Sequence, residues 1–67
     1  GFKAGFPDIV IWVKGKPTLF IELKVGKNKL TQNQIDVRDT LLSLGHKYCV
    51  AYNLIDVDNF LKKELTT

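Results

Sequence analysis

Two β-branched segments separated by a short turn constrain this chain more than any other feature. Asp8 to Val13 and Thr18 to Val25 favour extended backbone, and Lys14-Gly15-Lys16-Pro17 between them is turn chemistry, so the pair predicts a β-hairpin. Side chains alternate faces along a strand. Ile9, Ile11 and Val13 share one face of the first segment, while Leu19, Ile21, Leu23 and Val25 form an unbroken apolar face of the second. Bringing both sets to one side requires an odd number of turn residues, and pairing Val13 with Pro17 meets that condition. Asp8 then lies directly opposite Glu22. Their face also carries Val10, Trp12, Thr18, Phe20 and Lys24.

Directly opposed Cβ atoms lie about 5 Å apart, close enough for two carboxylates to share one divalent cation. Two like charges so placed are destabilising unless something neutralises them. One reading leaves both solvated, with Lys24 as a local counter-charge. Against it, Val10, Trp12 and Phe20 make this face largely apolar and hence at least partly covered. A carboxylate pair on a half-covered face beside a lysine is the pattern of a functional site.

Beyond the hairpin, Gly26 to Leu30 is a polar, lysine-rich loop, and Thr31-Gln32-Asn33-Gln34 opens a helix with a capping-box pattern. Gly45 sits where that helix should end. Tyr48 to Tyr52 reads as a third strand, and Asp56 as the N-cap of a last helix through Glu64. The first helix turns Ile35, Val37, Leu41, Leu42 and Leu44 to one half of its circumference, with Gln34 and Arg38 the only polar residues among them. Gln34 has two readings there, as the capping-box partner of Thr31 or as a polar group bordering a site. Arg38 either borders the same site or extends outward along its stem. Cys49 reads as a core strand residue and His46 as a surface residue at a helix end. The expected fold is α/β, a small mixed sheet in ββαβα order with flanking helices.

At 67 residues the whole chain, 1–67, makes a single domain. No apolar run approaches the ~18 residues needed to span a membrane, so no membrane partner is expected. The start lacks the apolar segment of a signal peptide. The expected setting is cytoplasmic, or nucleoid or nuclear, and not secreted. One cysteine and one histidine exclude a disulfide framework and a cysteine-rich zinc site. Any metal must be held by oxygen, which points to Mg²⁺, Mn²⁺ or Ca²⁺. The formal charge is +3, with the basic surplus in residues 1–47. That surplus is compatible with a polyanionic partner. The absence of methionine suggests a fragment or a processed chain.

Gly5-Phe6-Pro7-Asp8-Ile9 at the hairpin entry, Phe20-Ile21-Glu22-Leu23-Lys24 on the next strand and Leu30-Thr31-Gln32-Asn33-Gln34 after it carry a resemblance. Together with Gly45 ahead of a strand, they resemble the VRR-NUC branch of the PD-(D/E)xK nuclease superfamily over residues 1 to 53. The resemblance implies a restriction-endonuclease-like core and Mg²⁺-dependent hydrolysis of phosphodiester bonds in DNA, with Mn²⁺ as a substitute. It implies that Asp8, Glu22 and the main-chain carbonyl of Leu23 hold the metal. Lys24 would orient or help deprotonate the attacking water, and Gln34 would be an auxiliary polar residue. Lys14, Lys16, Lys27, Lys29 and Lys47, read as loop residues, are candidate phosphate contacts.

Such domains carry a helix ahead of the hairpin with an acidic residue that completes the site. Only seven residues precede Asp8 here, none of them acidic. A truncated N-terminus, an acid supplied by a partner subunit and an incomplete site all fit that departure. The alternatives to a nuclease are a non-catalytic nucleic-acid-binding or assembly module of the same fold, and an interaction domain without nucleic acid. A sheet face with too little of its own chain to cover it predicts a homodimer or element-swapped oligomer, with Trp12 or Phe20 near the shared surface.

Overall fold

The hairpin and the parallel strand that joins it form one three-stranded sheet. β1 (Ile9–Ile11) pairs antiparallel with β2 (Leu19–Leu23), and β2 pairs in parallel with β3 (Lys47–Ala51), in the order β1-β2-β3. A parallel pair needs a crossover. α1 (Gln32–Ser43) supplies it, and α2 (Leu54–Leu65) follows β3. The structure is a computed structural model and describes residues 4–66. Its element order is the expected ββαβα.

The register is the one that the apolar pattern demands. Ile9 faces Ile21, Val10 faces Phe20 and Ile11 faces Leu19. Continued by one step toward the hairpin entry, the same register sets Asp8 against Glu22. The strands are shorter than the β-branched runs suggest. At the turn, the Lys16 N–H donates to the Val13 carbonyl at 3.1 Å, and Gly15 takes a φ of 76° that favours glycine. Pro17 has no N–H to extend the ladder toward Val13, so pairing stops at Leu19. At the other end β3 finishes at Ala51, opposite Leu23, which leaves Val25 without a neighbouring strand and 78% exposed. The apolar face of β2 is therefore buried only at Leu19 and Ile21.

Both faces of β2 are covered. α1 packs on the face of Phe20, where Phe20, Val37 and Leu41 form the buried cluster, with Val10 and Tyr48 against it. α2 lies against β3 from the other side, where Val57 lines a depression with Leu23 and Ala51. The buried side of α1 is the column containing Gln34, Val37, Arg38 and Leu41. Leu42 and Leu44, expected in the apolar half, are exposed, because the helix turns its i, i+4 column rather than its leucine-rich end onto the sheet.

Three local expectations are corrected. The N-cap of α2 is Asn53, whose side chain accepts from the Asp56 N–H at 2.8 Å. Asp56 instead sits in the first turn and accepts from the Tyr52 N–H at 2.9 Å, tying the end of β3 to the start of α2. Lys47 is the first residue of β3 rather than a loop residue. His46 is half-buried, its ring edge-on to Phe20 with centroids 5.5 Å apart, so it closes one end of the core.

Gly5 fixes how the segment ahead of β1 crosses α1. Its φ is 89°, and an added Cβ would lie 2.7 Å from the Asn33 carbonyl oxygen and 2.7 Å from the Gln34 nitrogen. Those are backbone atoms at the start of a helix and cannot yield cheaply. Gly5→Ala is expected to destabilise the fold by about 2 kcal/mol, the scale of a strained left-handed residue. Urea unfolding of the two proteins measures the difference.

Candidate functional site

Three elements converge at one end of the sheet. Asp8 immediately precedes β1, Glu22 and Leu23 end β2 with Lys24 following, and Gln34 opens α1. The close crossing of Gly5 over Asn33 and Gln34 brings the hairpin entry and the helix start to the same strand end. Asp8 Oδ2 accepts from the Leu23 N–H at 2.8 Å, so this side chain closes the ladder where the β1–β2 pairing stops.

Glu22 is only 4% exposed. Gln34 Nε2 donates to its Oε2 at 3.2 Å, while Gln34 Oε1 accepts from the Thr31 N–H at 2.9 Å. The Thr31 hydroxyl in turn accepts from the Gln34 N–H, completing the capping box. The capping-box reading of Gln34 holds, and the same amide also reaches the sheet: one end caps the helix and the other holds the glutamate. The second glutamate oxygen, Oε1, is buried without a protein partner among the described residues.

Burial pushes the Glu22 carboxyl above its ordinary range. The Asp8 charge adds to the rise, as does the hydrogen bond that a protonated Glu22 can make to the Asp8 side chain, and Lys24 works against it. The cause is the burial of Glu22 itself, with the exposed Asp8 as a nearby like charge. Arg38, on the same helix column as Gln34, pairs with the adjacent Asp39 at 3.0 Å rather than with either carboxylate.

The lysines divide between the two ends of the sheet. Lys24, Lys27 and Lys29 follow β2 at the carboxylate end. Tyr52 secures that loop by donating its hydroxyl to the Asn28 carbonyl at 2.8 Å. Lys14 and Lys16 lie at the hairpin turn and Lys47 pairs with Leu19, which puts all three at the opposite end. The five candidate phosphate contacts thus form two groups and not one ring around the carboxylates.

One polar group at the site escaped the sequence reading. Tyr48 lies on the same sheet face as Glu22, since it pairs with Phe20 and Val50 pairs with Glu22. Alternation on the third strand carried that signal, but the tyrosine reads equally well as core. Among the described residues no group of three or more histidine, cysteine, aspartate or glutamate side chains is placed to hold a metal. The donors on offer are two carboxylates and main-chain carbonyls. No family model, no curated protein and no solved structure matches the chain.

The raised Glu22 pKa has a definite consequence for stability. The folded chain holds this proton more tightly than the unfolded chain does. The contribution is complete below the ordinary value of 4.5 and is lost as pH rises through the higher folded value. Glu22→Gln keeps the acceptor for Gln34 and removes the charge. The variant is expected to be more stable than the parent at neutral pH, with the gap closing as pH falls to about 4. Urea unfolding across that range, without divalent cations, checks it.

Proposed function

We propose that this chain is a metal-dependent DNA nuclease domain of the VRR-NUC type, with a restriction-endonuclease-like core. The observation that carries the reading is a 4%-exposed glutamate, one oxygen unpartnered, with an aspartate beside it that bonds the next strand residue. Buried carboxylates persist in folded proteins when something compensates them. An all-oxygen donor set of Asp8, Glu22 and the Leu23 carbonyl suits Mg²⁺, with Mn²⁺ as a substitute. Such an ion polarises a phosphate and lowers the pKa of bound water.

The chain's own groups supply the rest. Lys24 follows Glu22 and Leu23 and carries positive charge to the place where negative charge develops on the phosphate oxygens, and it orients the attacking water. Gln34 is a positioning residue, since both ends of its amide are already engaged. Lys27 and Lys29, exposed in the tied loop, are placed to meet flanking phosphates. Either Glu22→Ala or Lys24→Ala is expected to abolish Mg²⁺-dependent cleavage of DNA while circular dichroism shows the fold retained. Cleavage at the parent rate by either variant overturns the reading.

The second reading is a nucleic-acid-binding or assembly module that keeps this fold without cutting. It draws support from the lack, among the described residues, of a third acidic, histidine or cysteine side chain beside the pair. Such a module takes up no Mg²⁺ at Asp8 and Glu22 in a calorimetric titration.

Assembly as a homodimer is part of the same proposal, with one change of detail. Phe20 is 6% exposed, already buried by α1 of its own chain, and is withdrawn from the shared surface. Trp12 is 83% exposed beyond the end of the edge strand β1. It borders an open apolar groove of about 530 Å³ with Phe6, Pro7, Val10 and Phe20. Burying one large aromatic is worth roughly 1.5–3 kcal/mol, which is large for a core of this size. Sedimentation equilibrium at micromolar concentration is expected to give twice the 7.6 kDa chain mass. A folded species at the single-chain mass excludes the dimer.

A further inference from the structure

Two buried polar atoms lack a protein partner among the described residues: Glu22 Oε1 and the Tyr48 hydroxyl. One is an acceptor and the other can donate. They lie on the same face of adjacent parallel strands, because Tyr48 is level with Phe20 and Glu22 is two residues further along β2. α1 covers both. Its Gln34 is bonded to the other oxygen of Glu22, and its Val37 and Leu41 form the cluster against which Tyr48 packs.

We propose that Tyr48 is a positioning residue for Glu22, its hydroxyl donating to one bridging water that donates in turn to Oε1, since the two side chains do not bond directly. Gln34 holds Oε2 from the helix, and Tyr48 reaches Oε1 from β3 through the water. The carboxylate is thereby fixed at both oxygens from two elements, with a lone pair of Oε1 left for another ligand. Each unpaired buried polar atom costs free energy comparable to a lost hydrogen bond, and the link settles two at once. The donor state is secure. Burial first, and the neighbouring Glu22 charge second, push the tyrosine up to about 12, so the hydroxyl keeps its proton at neutral pH. Arg38 is close enough to act on the same hydroxyl in the opposite sense, but its guanidinium is engaged with Asp39. The functional meaning of the clamp rests on the metal-holding role proposed for Glu22; the link between the two side chains does not.

A double-mutant cycle on the metal-free chain tests the link. Tyr48→Phe removes the hydroxyl and keeps the ring in the core, and Glu22→Leu removes the acceptor with an apolar side chain suited to burial. Unfolding of the parent, both single variants and the double variant is expected to show a coupling of about tenfold in the folding equilibrium constant. Additive effects overturn the proposal. Mn²⁺ titration of the parent and of Tyr48→Phe, followed by electron paramagnetic resonance, separates this result from the nuclease reading. An affinity about tenfold weaker in the variant, at unchanged fold, is expected for a residue that orients a metal ligand. If the parent takes up no Mn²⁺ while the cycle still couples, the nuclease reading falls and the Tyr48–Glu22 link stands.

Discussion

The side-chain amide of Gln34 joins the helix, the sheet and the carboxylate pair. Its oxygen closes the capping box at the start of α1, and its nitrogen holds Glu22 on β2. A helix end leaves backbone N–H groups unsatisfied, so the cap decides where α1 begins. Because the same residue reaches into the sheet, it also decides which column of α1 faces the strands. The column that follows from Gln34, through Val37 and Leu41, is the one that buries Phe20. Gly5 adds the third constraint, since only a residue without Cβ fits against the first turn of that helix.

This arrangement sets stability against chemistry. A hydrophobic residue at position 22 would satisfy the fold better than a glutamate with one unpartnered oxygen and a second carboxylate beside it. The chain is small, and its net stability is a narrow difference between large terms. The glutamate is nevertheless held by a dedicated side chain, and the Asp8 carboxylate is fixed by the Leu23 main chain. A buried carboxylate kept beside an exposed one at the cost of repulsion, with both oriented by hydrogen bonds, is what the proposed cation role requires.

The hairpin register was legible in the sequence because a one-residue slip would turn every apolar side chain of Leu19 and Ile21 outward. The capping box of α1 was legible for a similar reason: Thr31 and Gln34 stand at the spacing that the hydrogen bonds require. Strand length was less legible, since β-branched composition continues past the last pairing partner at Val13 and at Val25. The start of α2 was misplaced because Asn53 and Asp56 are both good caps, and only the end of β3 at Ala51 decides between them. The cover over Phe20 also depended on a tertiary choice. Leu42 and Leu44 made the apolar half of α1 look centred elsewhere, and the sheet selected the narrower column. Tyr48 was hidden by its double character, a ring that belongs in the core and a hydroxyl that needs a partner.

The strand directions also govern how a polyanion could use this surface. Parallel pairing puts the carboxyl ends of β2 and β3 together, so Glu22, Lys24 and the loop tied through Tyr52 and Asn28 gather at one end. Antiparallel pairing sends the hairpin turn, with Lys14 and Lys16, to the other end, beside Lys47. The five residues of β2 separate the two groups by about 16 Å. Phosphates along one strand of a duplex are spaced about 3.4 Å apart, so contacts at both ends would require about five nucleotides lying along the sheet. Lysines at the turn end can therefore add affinity and set direction, but they are too far from Asp8 and Glu22 to stabilise charge on a phosphate held there. In the proposed reading that task belongs to Lys24, which directly follows β2 and acts on the Glu22 carboxylate.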